Sequence, residues 1–336
     1  MKSFQSWLCP APAGLYCEPG DFYIDPAQPV ARAVITHGHS DHARRGHDQV
    51  LATPETLAVM RLRLGEDGAG RVQQSLPFGE PVEIGGVRVT LLPAGHILGS
   101  AQVLLEYGGA RAVVTGDYKR RRDPTAVPFE LVRCDLLVTE ATFGLPVFRH
   151  EPDASEIGRL LASRAAFPDR THLIGAYGLG KAQRLIALLR EAGWDRTIFL
   201  HGALVGMCEL YEQMGIGLGP LEHVADKPRS ALAGEIVLAP PSALADRWSR
   251  RLADPVTAFA SGWMRVKARA RQRGVELPLV ISDHVDWPEL MLTIEECGAE
   301  EIWVTHGREE AVVRAATLMG RRARALALIG REDEAE

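Results

Sequence analysis

The sequence predicts an α/β protein built in two parts, and three observations predict it. Between residues 145 and 275, apolar runs of strand length alternate with helical segments, which is the pattern of a parallel sheet flanked by helices. On either side of that stretch, short apolar runs repeatedly end in a chemically active side chain: His37, His96, Asp117, Glu140, His284 and His306. The third observation is residues 33–42, Ala-Val-Ile-Thr-His-Gly-His-Ser-Asp-His, with three imidazoles and a carboxylate in six positions. The expected domains are therefore 1–144 together with 276–336, and 145–275.

Size and composition agree with this. A chain of 336 residues has room for two domains, and 46% hydrophobic content lets it bury a sizeable core. The net charge of −5 argues against a globally basic nucleic-acid coat protein, while a local basic groove stays compatible with it. Five scattered cysteines (Cys9, Cys17, Cys134, Cys208, Cys297), with no Cys-x-x-Cys, fit a reducing cytosol better than a disulfide framework. The N-terminus has no apolar core of signal-peptide length, and no run reaches the ~18 apolar residues that a membrane helix needs. A cytoplasmic protein is expected. The acidic stretch 331–336 reads as a frayed tail.

Taken in order, Gly14–Tyr16 and Asp21–Ile24 read as a hairpin around Pro19-Gly20. Ala33–Ile35 is a buried strand, and the polar turn after it carries His37, His39, Asp41 and His42. Imidazole nitrogen and carboxylate oxygen are the donors that borderline cations select. The two-residue step from His37 to His39 aims both rings the same way from an extended strand end. His47, just beyond, reads as solvated. Thr53 caps a helix that opens at Pro54 and runs to about Leu64. Val87–Leu92 is a strand leading to His96, which is flanked by glycines. Ala101–Tyr107 and Arg111–Thr115 form a hairpin through Gly108-Gly109, and the second strand ends at Gly116-Asp117. Asp135–Thr139 ends at Glu140.

The inserted part reads as helix 153–166 (Asp153 as cap), strand 171–177, helix 181–192, strand 197–200, helix 203–214, strand 235–239, helix 242–252 and strand 256–260. Leu277–Ile281 is a strand leading to Ser282-Asp283-His284, and a helix starts at Pro288. Glu301–Val304 leads to Thr305-His306-Gly307, and a last helix is expected to about Leu328.

The set His37-x-His39-x-Asp41-His42 with His96, Asp117 and His306 resembles the metallo-β-lactamase superfamily. The long stretch between Asp117 and His306 resembles the β-CASP nucleases in particular. Glu140, in Val138-Thr139-Glu140-Ala141-Thr142, is similar to that group's first signature acid. Ser282-Asp283-His284-Val285-Asp286 is similar to its second signature and Thr305-His306-Gly307 to its third. Residues 175–183 look like the start of its inserted domain. Gly14-Leu15-Tyr16-Cys17 through Asp25-Pro26 look most like the bacterial DNA-ligase-associated exonucleases, which are grouped with DNA damage repair.

The resemblance implies a metallo-β-lactamase αββα sandwich with an inserted β-CASP α/β domain. It implies a DNA exonuclease, with a DNA ligase and a helicase of the same repair pathway as partners. The histidine at the third signature is shared with RNA-cleaving members such as RNase J and the pre-mRNA 3′-end endonuclease, while Artemis-type DNA nucleases carry valine there. An RNase of that type is the alternative. A small-substrate hydrolase and a non-catalytic nucleic-acid binder are further readings. The long insert weighs against the first, and the complete ligand set against the second.

The chemistry expected is phosphodiester hydrolysis with two divalent ions, zinc foremost and Mn²⁺ as the other candidate. His37, His39, His96 and Asp117 hold one ion in this reading; Asp41, His42, Asp117 and His306 hold the other, with Asp117 bridging. Asp41 orients the attacking water. His284 serves as general acid to the leaving group, with Glu140 on its other ring nitrogen; a cap before the helix at Pro288 is the competing role for His284. Lys119 and Arg120, in a basic loop after Asp117, are candidates for the nucleic-acid backbone.

Gly-x-x-x-x-Gly-Lys at 175–181 is nearly a phosphate loop, but Ala182 replaces the metal-binding hydroxyl. Lys181 is left as either a phosphate cradle or part of a plain helix cap. Trp263 is placed beside a base or in the core. Arg265, Lys267, Arg269, Arg271 and Arg273 alternate strictly, which fits a solvated face and a binding stripe equally.

Overall fold

The structure, a computed structural model, describes residues 3–252 and 254–326. The chain forms two compact units. Residues 3–148 and 284–326 make one, and 149–283 make the other.

In the first unit the chain starts with β1 (Leu8–Ala11), β2 (Gly14–Cys17), β3 (Phe22–Ile24), β4 (Arg32–Val34), β5 (Gln49–Ala52), α1 (Pro54–Leu64) and β6 (Val72–Ser75). These strands form a six-stranded sheet in sequence order, antiparallel from β1 to β3 and parallel from β3 to β6. The strands β7 (Pro81–Ile84), β8 (Val87–Pro93), β9 (Ala101–Tyr107), β10 (Ala110–Val114) and β11 (Leu136–Ala141) follow.

The second unit holds α2 (Asp153–Ala166), β12 (His172–Gly175), α3 (Lys181–Glu191), β13 (Ile198–Leu200), α4 (Gly202–Gln213), β14 (Leu221–His223), β15 (Ile236–Ala239), β16 (Val256–Ala260), α5 (Lys267–Arg273) and β17 (Leu277–Leu279). Its sheet has the order β14-β13-β15-β12-β16-β17 and is parallel throughout.

The chain then returns to the first unit with α6 (Trp287–Glu296), β18 (Glu301–Gly307), α7 (Glu309–Leu318) and β19 (Arg322–Ala325). The second sheet of this unit runs β19-β18-β11-β10-β9-β8-β7. It is antiparallel from β7 to β10 and parallel from β10 to β19.

Packing orders the first unit into four layers. Leu15, Ile24, Val34 and Leu51 of one sheet meet Leu91, Val103, Leu105, Val138 and Trp303 of the other in one core. Outside the first sheet, Ile35 and Ala52 pack on Leu57 and Met60 of α1. Outside the second, Leu137, Ile302 and Val304 pack on Leu290 and Ile294 of α6 and Val312 and Ala316 of α7. A sheet covered on both faces has little use for alternation, and every residue of β11 is buried. Helix α1 starts as its sequence dictates: Pro54 stands in its first turn, and the Thr53 hydroxyl accepts from the Thr56 N–H at 3.1 Å.

Several elements differ from the sequence expectation. Residues 242–252 form no α-helix but two 3₁₀ turns, Pro241–Leu244 and Ser249–Arg251. Asp246 turns its carboxylate onto the Arg247 N–H, a local bond that competes with the helix. Asp153 is the first residue of α2 rather than its cap, and its carboxylate pairs with Arg184. Helix α7 stops at Leu318, before Gly320 at φ +80°, and Arg322–Ala325 adds a strand beside β18. The residues expected to end that helix, and the acidic tail 331–336, lie outside the described residues. His47 is buried, and its Nδ1 accepts from the Val30 N–H at 3.3 Å. Among the described residues no helix is long and apolar enough to cross a membrane.

Candidate metal centre

All the ligand candidates belong to the first unit and stand at or just past strand ends. His37, His39, Asp41 and His42 follow β4, and His96 follows β8. Asp117 follows β10, Glu140 is in β11, and His306 is in β18. Where parallel strands end, their last residues point to a common rim, so side chains far apart in sequence converge.

Three groups result, each with its donor atoms within 4.8 Å of one another: His37, His39, His96 and Asp117; Asp41, His42, Asp117 and His306; and Asp117, Glu140 and His284. Asp117 is common to all three. Its Oδ2 lies 3.5 Å from His37 Nε2, 3.4 Å from His42 Nε2 and 3.9 Å from His96 Nε2. His39 Nδ1 is 3.1 Å from His37 Nε2 and 3.0 Å from His96 Nε2.

These residues fit a bound cation on two grounds. Asp117 Oδ1 is buried with no hydrogen-bond partner, and an orphaned carboxylate oxygen in a protein interior is costly unless something positive meets it. Three imidazole nitrogens also converge beside it, more lone pairs than the available protons can join. The electrostatics agree. Burial, then the neighbouring His42, pushes His37 well below the usual imidazole range, which leaves it neutral and able to ligate. Burial opposes charge on His42, yet Asp41, Asp117 and Asp25 together raise it well above its ordinary value. Burial likewise favours neutral Asp117, but His42, His306 and His284 hold it ionised. A divalent cation replaces the protons that such a cluster otherwise shares.

His306 takes an unusual backbone. Its φ is +61°, and the β11–β18 register shifts between Glu140 and Ala141, so a bulge aims the ring at the centre. Its Nε2 lies 3.9 Å from Asp41 Oδ2. Gly307 follows at φ +111°, and a Cβ there would meet the Ala141 carbonyl oxygen at 2.3 Å, so glycine is required.

Glu140 and His284 form a pair. His284 Nδ1 lies 3.0 Å from Glu140 Oε2 and 3.2 Å from Oε1, and Oε1 also accepts from the Tyr118 N–H at 2.8 Å. With its Nδ1–H donated to a carboxylate, the ring keeps Nε2 for exchangeable-proton chemistry. The cap of α6 is Asp286, whose carboxylate accepts from the Glu289 N–H, and not His284.

One member was not picked out as a site residue from sequence: Asp25. Its Oδ1 accepts from the Thr36 N–H at 2.7 Å. Its Oδ2 accepts from the Thr36 hydroxyl at 2.6 Å and from His42 Nδ1 at 2.7 Å. It therefore fixes His42 so that Nε2 faces Asp117. The signal was present, because Asp25 also ends an apolar strand, as Asp117 and Glu140 do. Asp25→Ala is expected to weaken metal binding by about 10–100-fold. It should also lower stability by about 2 kcal/mol, because three buried donors lose their acceptor. Zinc titration calorimetry and urea unfolding test this, and unchanged zinc affinity would show that His42 is oriented by other contacts.

The basic residues that the sequence offers as nucleic-acid contacts have partners within the protein. Lys119 is buried. Arg120 binds Glu296 at 2.5 Å and Thr293 at 3.2 Å, and Arg121 binds Asp286 and Glu289, so the basic loop is tied to α6. Lys181 is fully buried in the second unit, with Nζ 3.1 Å from Asp283 and 3.2 Å from the Ile281 carbonyl oxygen. Gln183 provides the helix cap, accepting from the Gly180 N–H at 2.9 Å. The structure thus engages Lys181 inside the fold instead of in a phosphate cradle. Lys181→Ala is expected to destabilise the protein by about 3 kcal/mol, as when one partner of a buried ion pair is removed. A urea midpoint unchanged from wild type would contradict this.

This constellation has the donor set of a centre that could hold divalent cations. No family model matches the chain. A "Probable DNA ligase" of Opitutus terrae is 32% identical over 298 residues, which are 88% of this chain and 28% of that protein. "Endoribonuclease YSH1" of Mycosarcoma maydis is 32% identical over 208 residues, 51% of this chain and 23% of that one. The chain thus spans well under half the length of these relatives. A crystal structure of a protein of unknown function from Enterococcus faecalis has a similar fold, with a TM-score of 0.59 at 14% identity over 90% of this chain and 80% of that one. These relatives agree with the resemblance to the β-CASP nuclease group of the metallo-β-lactamase superfamily.

Proposed function

We propose that this protein is a two-metal phosphodiesterase acting on nucleic acid, a DNA exonuclease of DNA repair. The observation that carries the reading is the pair of donor sets sharing Asp117, with the Glu140–His284 pair beside it. We read the four-layered unit as a metallo-β-lactamase αββα sandwich and the second unit as the β-CASP domain.

His37, His39, His96 and Asp117 would hold one divalent ion, and Asp41, His42, Asp117 and His306 a second, with zinc best suited to histidine-rich ligation. Bound there, the ions supply charge neutralisation for phosphoryl oxygens and a lowered pKa for water. The chain's own groups do the rest. Asp41, at the edge of the second set, orients the attacking water and takes its proton. His284 gives a proton from Nε2 to the leaving sugar oxygen, and Glu140 stabilises the ring through Nδ1.

A DNA substrate is supported by the relative named as a probable DNA ligase, in which a segment like this chain is part of a longer protein. A ligase and a helicase of the same repair pathway fit as partners. A second reading, an RNase acting on RNA ends, draws on the relatives named as endoribonucleases. End-labelled single-stranded DNA and RNA of matched sequence, with Zn²⁺ or Mn²⁺, separate the two. Stepwise shortening of DNA by wild type, absent in Asp41→Ala and abolished by a chelator, is the expected result. Cleavage of RNA alone gives the second reading. Neither polymer changing with metal-loaded protein defeats both.

A further inference from the structure

The alternating run at 265–273 is not one face. Helix α5 splits it in two. Arg269 lies with its guanidinium carbon 3.8 Å from the Trp263 ring centroid, and Arg273 lies 4.9 Å from that of Phe259. These two, four residues apart, stack on aromatic rings, Arg269 half-buried and Arg273 still exposed at the helix end. Lys267 and Arg271, also four apart, are exposed, as is Arg265 in the preceding turn. Among the described residues, none of these three has an ion-pair partner.

Residues 261–275 contain no Asp or Glu, and Glu276 is engaged by Arg170 at 3.0 Å. An ordinary solvated helix mixes signs. Here like charges stand at i, i+4 within a seven-residue helix, and Lys267 opposes the dipole at its N-terminus. Both effects weaken the helix, and the ring contacts of Arg269 and Arg273 hold it nonetheless. In a chain of net charge −5, the result is a fixed cationic face with no counter-charge of its own. Trp263 is buried under Arg269, so neither it nor Arg269 is presented to a base.

The geometry points to α5 as a phosphate-backbone contact on the second unit, with Lys267 and Arg271 as its outward charges and Arg265 beside them. The contact reads no sequence, because it offers point charges and no edge for a base. It rests on nucleic acid being the ligand, as proposed above, and adds a place on the second unit where that ligand is held.

The test measures binding of metal-loaded protein to a fluorescent single-stranded phosphorothioate oligonucleotide across a salt series. Lys267→Gln/Arg271→Gln should raise Kd about tenfold or more near 100 mM salt and reduce the log–log salt slope by about 1.5. Arg88→Gln/Arg322→Gln removes the same charge from the first unit and should leave the slope near wild type. Both variants should hydrolyse bis(p-nitrophenyl) phosphate at the wild-type rate, which also shows that they fold. An α5 variant with the wild-type slope overturns the proposal, as do equal losses in both variants. Loss of binding to an acidic peptide, with oligonucleotide binding intact, overturns it in favour of a protein partner. Wild type that binds through α5 yet cleaves nothing defeats the nuclease reading alone, and wild type that cleaves with an indifferent α5 defeats this inference alone.

Discussion

Asp117→Asn should reduce phosphodiester hydrolysis by about a thousandfold or more, the equivalent of several kcal/mol of transition-state charge stabilisation. The substitution keeps shape and volume, so it isolates charge. Asp117 is the residue common to every donor group of the centre, and its Oδ2 stands within 4.0 Å of four histidines. An amide offers one acceptor oxygen and no negative charge, so it cannot serve two cations together. Metal content by plasma emission should fall by at least one ion per chain, while circular dichroism stays that of wild type. If Asp117→Asn keeps its metals and works within tenfold of wild type, Asp117 does not bridge, and the two-ion reading goes with it.

The second large effect is expected at His284. Removing a positioned general acid lowers rate by about 10²–10⁴. The diagnostic is the dependence on leaving group. A sugar alkoxide needs a proton as it departs, while nitrophenolate does not. His284→Ala should therefore be severely slowed on an oligonucleotide and only mildly slowed on bis(p-nitrophenyl) phosphate. Glu140→Gln should follow the same pattern more weakly, because the amide still accepts from the Tyr118 N–H but no longer stabilises a charged ring. Equal losses on both substrates would make His284 a binding or ligating group instead of a proton donor.

The candidate metal-binding cluster was legible because its residues carry their chemistry in their identity. Three histidines and an aspartate after an apolar strand leave few other readings, and later strands ending in His96, Asp117 and His306 repeat the sign. The Glu140–His284 pairing was legible in type, while its geometry, Nδ1 toward the carboxylate, came only from the fold. Asp25 was harder. It stands on the neighbouring strand, and nothing local says that β3 pairs with β4 and brings it to His42.

The partners of charged residues were the least legible. Lys181, Lys119 and Arg120 look like phosphate contacts in a sequence, because a basic side chain gives no sign of the acid it will meet. Asp283 and Glu296 are about a hundred or more residues away along the chain. Strand β19, Arg-Ala-Arg-Ala, has no apolar run at all and is a strand only because β18 offers it an edge.

The place of β18 has a consequence for how the protein is made. This strand lies inside the sheet, between β11 and β19, yet it is synthesised after the entire second unit. A nascent chain on the ribosome therefore carries His37 through Asp117 for a long interval with neither His284 nor His306. Throughout that interval the β11 edge waits unpaired, and closing it requires contacts between residues far apart in sequence, which form slowly. Whatever reaction the centre performs is thus withheld until residue 306 has emerged and β18 has docked.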